Sequence, residues 1–162
     1  RKIYNIDVDF KSFVFNKNGR PKLPNLSNNL DFNISHSGQF VVCAISNSIP
    51  VGIDIEKIKE IEIESFKNYM TAQEYRNIVY SKNIQEEFFS YWTKKEAVLK
   101  AIGLGLSMSL NGFEIIGNET SVNGEIYYLQ EIYIHSGYKC HLALSRKTSD
   151  FKINTVYLNK IE

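Results

Sequence analysis

The chain lacks several features that would have narrowed its role at once. It has no surplus of positive charge: 19 Lys and Arg against 18 Asp and Glu leave a formal net charge of +1, which argues against a general nucleic-acid binder. No apolar run approaches a membrane span, and no secretory pattern opens the sequence, so the cytoplasm is the expected location. Cysteine is scarce. Cys43 and Cys140 each sit in an apolar run (FVVCAIS and KCHLALS), their spacing fits no zinc pattern, and both are expected to be reduced core residues. Low-complexity tracts and linkers are missing too. What is present is an ordinary globular composition, 43% hydrophobic over 162 residues, enough for a core in one domain or two small lobes.

Against that plain background the stretch VGIDIEK (51–57) is unusual. With a strand's period of two, Val51, Ile53 and Ile55 share one face while Gly52, Asp54 and Glu56 share the other. Two like charges side by side repel unless they are solvated or something positive sits between them. A self-similarity adds a second clue: HSGQFVVCAIS (36–46) and HSGYKCHLALS (135–145) align without a gap, which points to two related lobes, each with a strand entered through a Ser-Gly turn. Strands are expected from Ile6 to Phe15, at 39–46 and 51–56, and through GFEIIGN, EIYYLQEIYIHSG, KCHLALS and INTVYLN, with KNGRPKLP and SNSIP as turns. Thr71 and Glu74 have capping-box spacing and predict a helix over 72–81; a second helix is expected from about Gln85 to Ile102, stopped by Gly103 or Gly105.

That second helix holds the other charged cluster. Phe88, Trp92, Leu99 and Ile102 form its core stripe, Glu96 falls within the stripe, and Lys100 lies one turn beyond Glu96. A simple surface Glu–Lys pair is the plain alternative. Taken with Asp54 and Glu56, however, Glu96 makes a third hard oxygen ligand, which suits Mg²⁺ sharing its shell with substrate phosphates. Lys95 and Lys100, with Arg20 and Lys22 elsewhere, are then available to the phosphates. Asp7 and Asp9 repeat the i,i+2 spacing and are read as solvent-facing strand residues, and Glu74 as a capping residue.

VGIDIEK followed by WTKKEAVLK resembles the paired signature of the surfactin-type 4′-phosphopantetheinyl transferases, in its W-KEA variety. FNISHSG and NGRPKLP resemble two further blocks of that family, in the same order. The resemblance implies an α+β fold of two similar lobes related by a pseudo-two-fold, with antiparallel strands packed against helices and the monomer as its own pseudo-dimer. Residues 1–50 would form part of an N-terminal lobe and 51–162 a C-terminal lobe carrying the metal site, with some of the first lobe missing from the start. It implies transfer of the phosphopantetheine arm of coenzyme A to a serine of an acyl or peptidyl carrier protein, releasing 3′,5′-adenosine bisphosphate. Asp54, Glu56 and Glu96 would hold Mg²⁺ (or Mn²⁺), with Glu96 as base, directly or through water. Lys100 would contact the α-phosphate, Lys95 the phosphates, Ser35 and His36 the 3′-phosphate end of coenzyme A, and Arg20 the adenine.

Two competing readings stay open at this point: a Mg²⁺-dependent nucleotide pyrophosphatase, which would use water in place of a protein serine, and a non-catalytic module that binds coenzyme A or a carrier protein. The mixed apolar and basic segment 57–83 would suit the acidic helix of a carrier, or simply pack.

Overall fold

The alternation in VGIDIEK becomes the edge strand of a sheet. In the computed structural model, which describes residues 12–16, 19–23, 30–103, 108–148, 150 and 152–154, the chain begins with two short strands, β1 (Val14–Phe15) and β2 (Pro21–Lys22), paired antiparallel. A hairpin follows, β3 (Leu30–Ser37) and β4 (Phe40–Asn47), turned at Gly38 and Gln39. β5 (Val51–Lys57) leaves it and leads through a 3-10 stretch at Ile63–Tyr69 to α1 (Ala72–Val79) and α2 (Ile84–Ile102). The chain closes with β6 (Glu119–Val122), β7 (Glu125–Glu131) and β8 (Tyr138–Leu144). Strands β5, β8, β7 and β6 form one antiparallel sheet in that order.

Local chemistry explains the boundaries. Thr71 and Glu74 form the reciprocal capping box, and α1 ends two residues earlier than its sequence pattern predicts. Asn83 caps α2 through the Glu86 amide, and Gly103 ends it in the left-handed conformation, with φ of 76°. The β6–β7 turn is Asn123-Gly124, both with positive φ, a pair that matches the twist of a tight hairpin. Of the expected strands, GFEIIGN contributes only a single bridge from Ile116 to Glu119, and β7 stops at Glu131. The strands expected over 6–15 and in INTVYLN fall largely outside the described residues, as do Asp7 and Asp9.

Three layers result. One face of the sheet carries Val51, Ile53, Ile55, Cys140, Leu142 and Leu144, and packs with Ala44, Phe40 and Val42 of the hairpin. The other face receives α2, whose Ala97, Val98, Leu99 and Ala101 join Tyr127, Leu129 and Ala143 in a second cluster. Phe88 and Phe89 gather α1 and the 3-10 stretch into a third, with Phe66 and Trp92 packed against it.

Two sequence expectations need correction here. Cys140 is buried, but Cys43 is exposed, on the outer face of β4 with Val41 and Ile45; in an unbroken apolar run such as FVVCAIS the parity of the strand cannot be read. The gapless match of 36–46 with 135–145 is off by one in space. The first turn is at Gly38-Gln39 and the second at Ser136-Gly137, so Val42 corresponds to Cys140, not to His141. The two turn regions nevertheless meet: the Phe40 ring lies 4.8 Å from that of Tyr138, edge to face, and a side chain on Gly38 would run into the Tyr138 hydroxyl.

Candidate active site between hairpin and sheet

Gly52 is the reason the helix can reach the strand. A Cβ there would strike the backbone of Ala97 and Ala101, so only glycine lets α2 lie this close to β5. One residue pair further along the same face, Asp54 Oδ1 stands 2.6 Å from Lys100 Nζ. Lys100 also donates to Ser35 Oγ at 2.9 Å and to the Ile53 carbonyl at 3.2 Å, and Ser35 in turn donates to Asp54 Oδ1 at 2.8 Å. Asp54 Oδ2, by contrast, is buried with no hydrogen-bond partner among the described residues. Burial pushes the Asp54 carboxyl above its ordinary range, and Lys100 opposes the shift.

Glu96 sits one turn before Lys100, half-buried, and makes no hydrogen bond or ion pair among the described residues. Its carboxyl is raised first by burial and then by the charges of Asp54 and Glu56, with Lys100 pulling the other way. Glu56 is turned towards Ser37, whose hydroxyl donates to Oε2 at 2.8 Å. Among the described residues no three His, Cys, Asp or Glu side chains stand as a closed metal cage. A Mg²⁺ ion, however, takes only one or two carboxylates and completes its shell with water and phosphate. The orphaned Oδ2 of Asp54, with Glu96 near enough to feel the charge of Asp54, is a donor set that fits such an ion.

The site lies at a seam of unusual construction. β3 runs beside β5 in the same direction but does not pair with it as a strand. Its alternate side chains do the pairing: Asp31, Asn33, Ser35 and Ser37 accept from the backbone N–H groups of Val51, Ile53, Ile55 and Lys57, at 2.8, 2.9, 3.4 and 3.0 Å. The free N–H row of an edge strand is thereby satisfied.

A family model described as the 4′-phosphopantetheinyl transferase superfamily matches residues 50–156. The chain belongs to the 4′-phosphopantetheinyl transferase superfamily. It is 38% identical over 143 residues to 4′-phosphopantetheinyl transferase gsp of Aneurinibacillus migulanus, covering 83% of this chain and 60% of the relative. It is 34% identical over 146 residues to 4′-phosphopantetheinyl transferase Sfp of Bacillus subtilis (strain 168), covering 84% of this chain and 64% of that one. The chain thus spans about 60% of the length of these relatives. A solved holo-[acyl-carrier-protein] synthase of Thermotoga maritima aligns with a TM-score of 0.46 at 21% identity, over 59% of this chain and 62% of that one.

Within this member of the superfamily the anticipated residues divide. Asp54, Lys100 and Ser35 are joined by hydrogen bonds and an ion pair, and Glu96 and Glu56 lie near enough for the charges of Asp54 and Glu56 to raise the Glu96 carboxyl. Lys95 does not: it is fully buried on the far side of α2, 2.9 Å from Glu74 Oε2 and donating to the carbonyls of Leu110 and Phe113 at 2.7 Å each, with no donor left for a phosphate. Glu74 is more than a cap, since it holds Lys95 and accepts from the Ile115 amide at 2.8 Å. Arg20 is likewise committed inside the protein. Its guanidinium donates to Asp31 at 2.7 and 2.8 Å, to the carbonyls of Phe32 and Val51, and to that of Lys100, which leaves it unavailable to an adenine. His36 stands on the opposite face of β3 from Ser35, exposed and without a hydrogen bond among the described residues. Sequence reasoning missed Gly52 and the row Asp31, Asn33, Ser35, Ser37. The signal was in the text of DFNISHS, where every second residue is short and polar.

Proposed function

We propose that this chain carries the catalytic centre of a 4′-phosphopantetheinyl transferase acting on coenzyme A and an apo acyl or peptidyl carrier protein. The observation that carries the reading is the convergence of Asp54, with its unpartnered Oδ2, on Lys100 and the neighbouring Glu96, in a chain of this superfamily. Residues 1–50 contribute part of a first lobe and 51–162 a second, so the site draws on both: Ser35 from one, the carboxylates and lysine from the other.

In the proposed reaction the carrier serine Oγ attacks the β-phosphorus of coenzyme A. The bond from that phosphorus to the bridging oxygen breaks, the phosphopantetheinyl group passes to the serine, and 3′,5′-adenosine bisphosphate departs with the electron pair. When bound, Mg²⁺ or Mn²⁺ supplies Lewis-acid polarisation of the pyrophosphate oxygens, held by Asp54, Glu56 and Glu96. Glu96 receives the serine proton, directly or through a water. Lys100, anchored by Ser35 and Asp54, presents a fixed positive charge to the α-phosphate. His36, exposed on β3, takes the 3′-phosphate end, while the Ser35 hydroxyl stays committed to Asp54 and Lys100. The carrier meets the surface between β5 and α2, where exposed Lys57, Lys59 and Lys67 accompany exposed Tyr69 and Tyr80.

The test is intact-mass spectrometry of an apo carrier protein incubated with this chain, coenzyme A and Mg²⁺. A phosphopantetheine mass gain that disappears with chelator and falls about 10²–10⁴-fold in Glu96→Gln is the expected outcome. Hydrolysis of coenzyme A with the carrier left unmodified would overturn the transferase and favour a pyrophosphatase.

A further inference from the structure

Ser35 and Ser37 differ from the two residues that precede them in the row. Asp31 and Asn33 each accept one backbone N–H from β5 and so do no more for that strand than hold it. The two serines accept an N–H as well, but each also donates its hydroxyl proton to a carboxylate: Ser35 to Asp54 at 2.8 Å and Ser37 to Glu56 Oε2 at 2.8 Å. Two serines at i,i+2 on β3 are thus matched to two carboxylates at i,i+2 on β5. His36 between them points to the other face.

We infer that Ser37 is a positioning residue of the site: by gripping the Lys57 amide and the Glu56 carboxylate with one oxygen, it fixes the direction in which Glu56 presents its remaining lone pairs. This rests on the proposed function, in which Glu56 is a ligand of the divalent cation. Glu56 is only half-buried, and its three side-chain torsions leave the carboxylate free to swing into solvent or away from the charge of Asp54. The Ser37 hydroxyl is a donor to the ionised form and is itself locked, because its acceptor side is taken by Lys57 N–H at 3.0 Å. A serine serves where a longer donor would not, since the seam brings β3 within one short side chain of β5. No further polar partner holds Glu56 among the described residues.

The experiment is a Mn²⁺ titration of the full chain with coenzyme A present, following the signal of free Mn²⁺ by electron paramagnetic resonance. Ser37→Ala is expected to weaken Mn²⁺ binding about 10-fold, the range for partners that orient a metal ligand, while Ser37→Thr, which keeps the hydroxyl, restores most of it. Ser37→Cys, similar in size with a weak donor, serves if the alanine variant melts early. The deciding comparison is Ser37→Ala made in a Glu56→Gln background, where it should cost nothing further. Equal losses in both backgrounds, or none in either, would overturn the inference and reduce Ser37 to a stitch in the seam. Hydrogen exchange of the Lys57 amide separates that stitch from the carboxylate effect, since it responds to Ser37→Ala whether or not Glu56 is present. Failure of the unsubstituted, folded chain to bind Mn²⁺ would overturn the metal reading itself, and with it this inference. That result needs no variant, so the two failures are distinguishable.

Discussion

Asp54 owes its raised proton affinity to burial, and His141, its cross-strand neighbour, is depressed for the same reason. Thr93 Oγ1 donates to the Phe89 carbonyl at 2.7 Å, so at 2.7 Å from His141 Nδ1 it accepts the ring N–H, which places a ring proton on Nδ1. Burial and the charges of Lys94 and Lys139 lower the His141 pKa to about 3 from 6.5. A depressed histidine contributes stability that is complete above about 6.5 and is lost as the pH falls towards 3, at up to roughly 1.4 kcal/mol per pH unit. Asp54 and Glu96 act with the opposite sign, because their raised carboxyls contribute stability at low pH that is lost as the pH rises through their folded values. Urea unfolding at pH 7, 6 and 5 should therefore show a steeper acid loss in the native chain than in His141→Phe. Equal slopes would mean that the ring is not held neutral. Gly52→Ala tests the other exacting residue. Pushing α2 off β5 should cost about 1–3 kcal/mol in thermal or urea unfolding, and should reduce the proposed transferase activity of the folded chain beyond that loss, since Glu96 and Lys100 move away from Asp54.

At the scale of one element, α2 explains why neighbouring letters of WTKKEAVLK do opposite jobs. Successive helix residues point about 100° apart, so Lys95 turns into the core while Glu96 and Lys100, one turn apart, face β5. The motif was legible as chemistry, but which of its lysines meets a charge inside the protein was not. The partners of Lys95 come from α1 and from the stretch 110–113, and nothing in the helix names them. Lys95→Met leaves Glu74 buried without its cation and should cost about 3–5 kcal/mol in urea unfolding, whereas Lys95→Met combined with Glu74→Gln should recover much of it. The KM for coenzyme A measured on the folded fraction should stay unchanged in either variant. A raised KM would restore Lys95 to the phosphates.

For the molecule as a whole, hairpin and sheet are joined by side chains in place of a shared strand ladder, and Arg20 closes the seam by reaching β3, β5 and the end of α2 together. Arg20→Ala should lower stability by roughly 1.5–3 kcal/mol, the worth of hydrogen bonds to a charged group. Amide exchange at Val51 and Ile53 should quicken before that of β7 and β8, because the seam opens while the sheet holds. Uniform acceleration across the sheet would mean that Arg20 is not specific to the seam. Among the described residues no helix is long and apolar enough to cross a membrane.

By itself the sequence determined what depends on short-range order: the capping box at Thr71, the Gly103 stop, the alternation of VGIDIEK, and the i,i+4 spacing that puts Glu96 and Lys100 on one side of the helix. Each is a constraint between residues a few positions apart, written in backbone dihedrals and helix or strand period. The tertiary structure alone decided that Lys95 and Arg20 are spent inside the protein, that Cys43 faces outwards, and that β3 meets β5 through its side chains. Those outcomes turn on which distant group satisfies a donor or covers a face. The sequence lists the groups, but only packing brings one to the other.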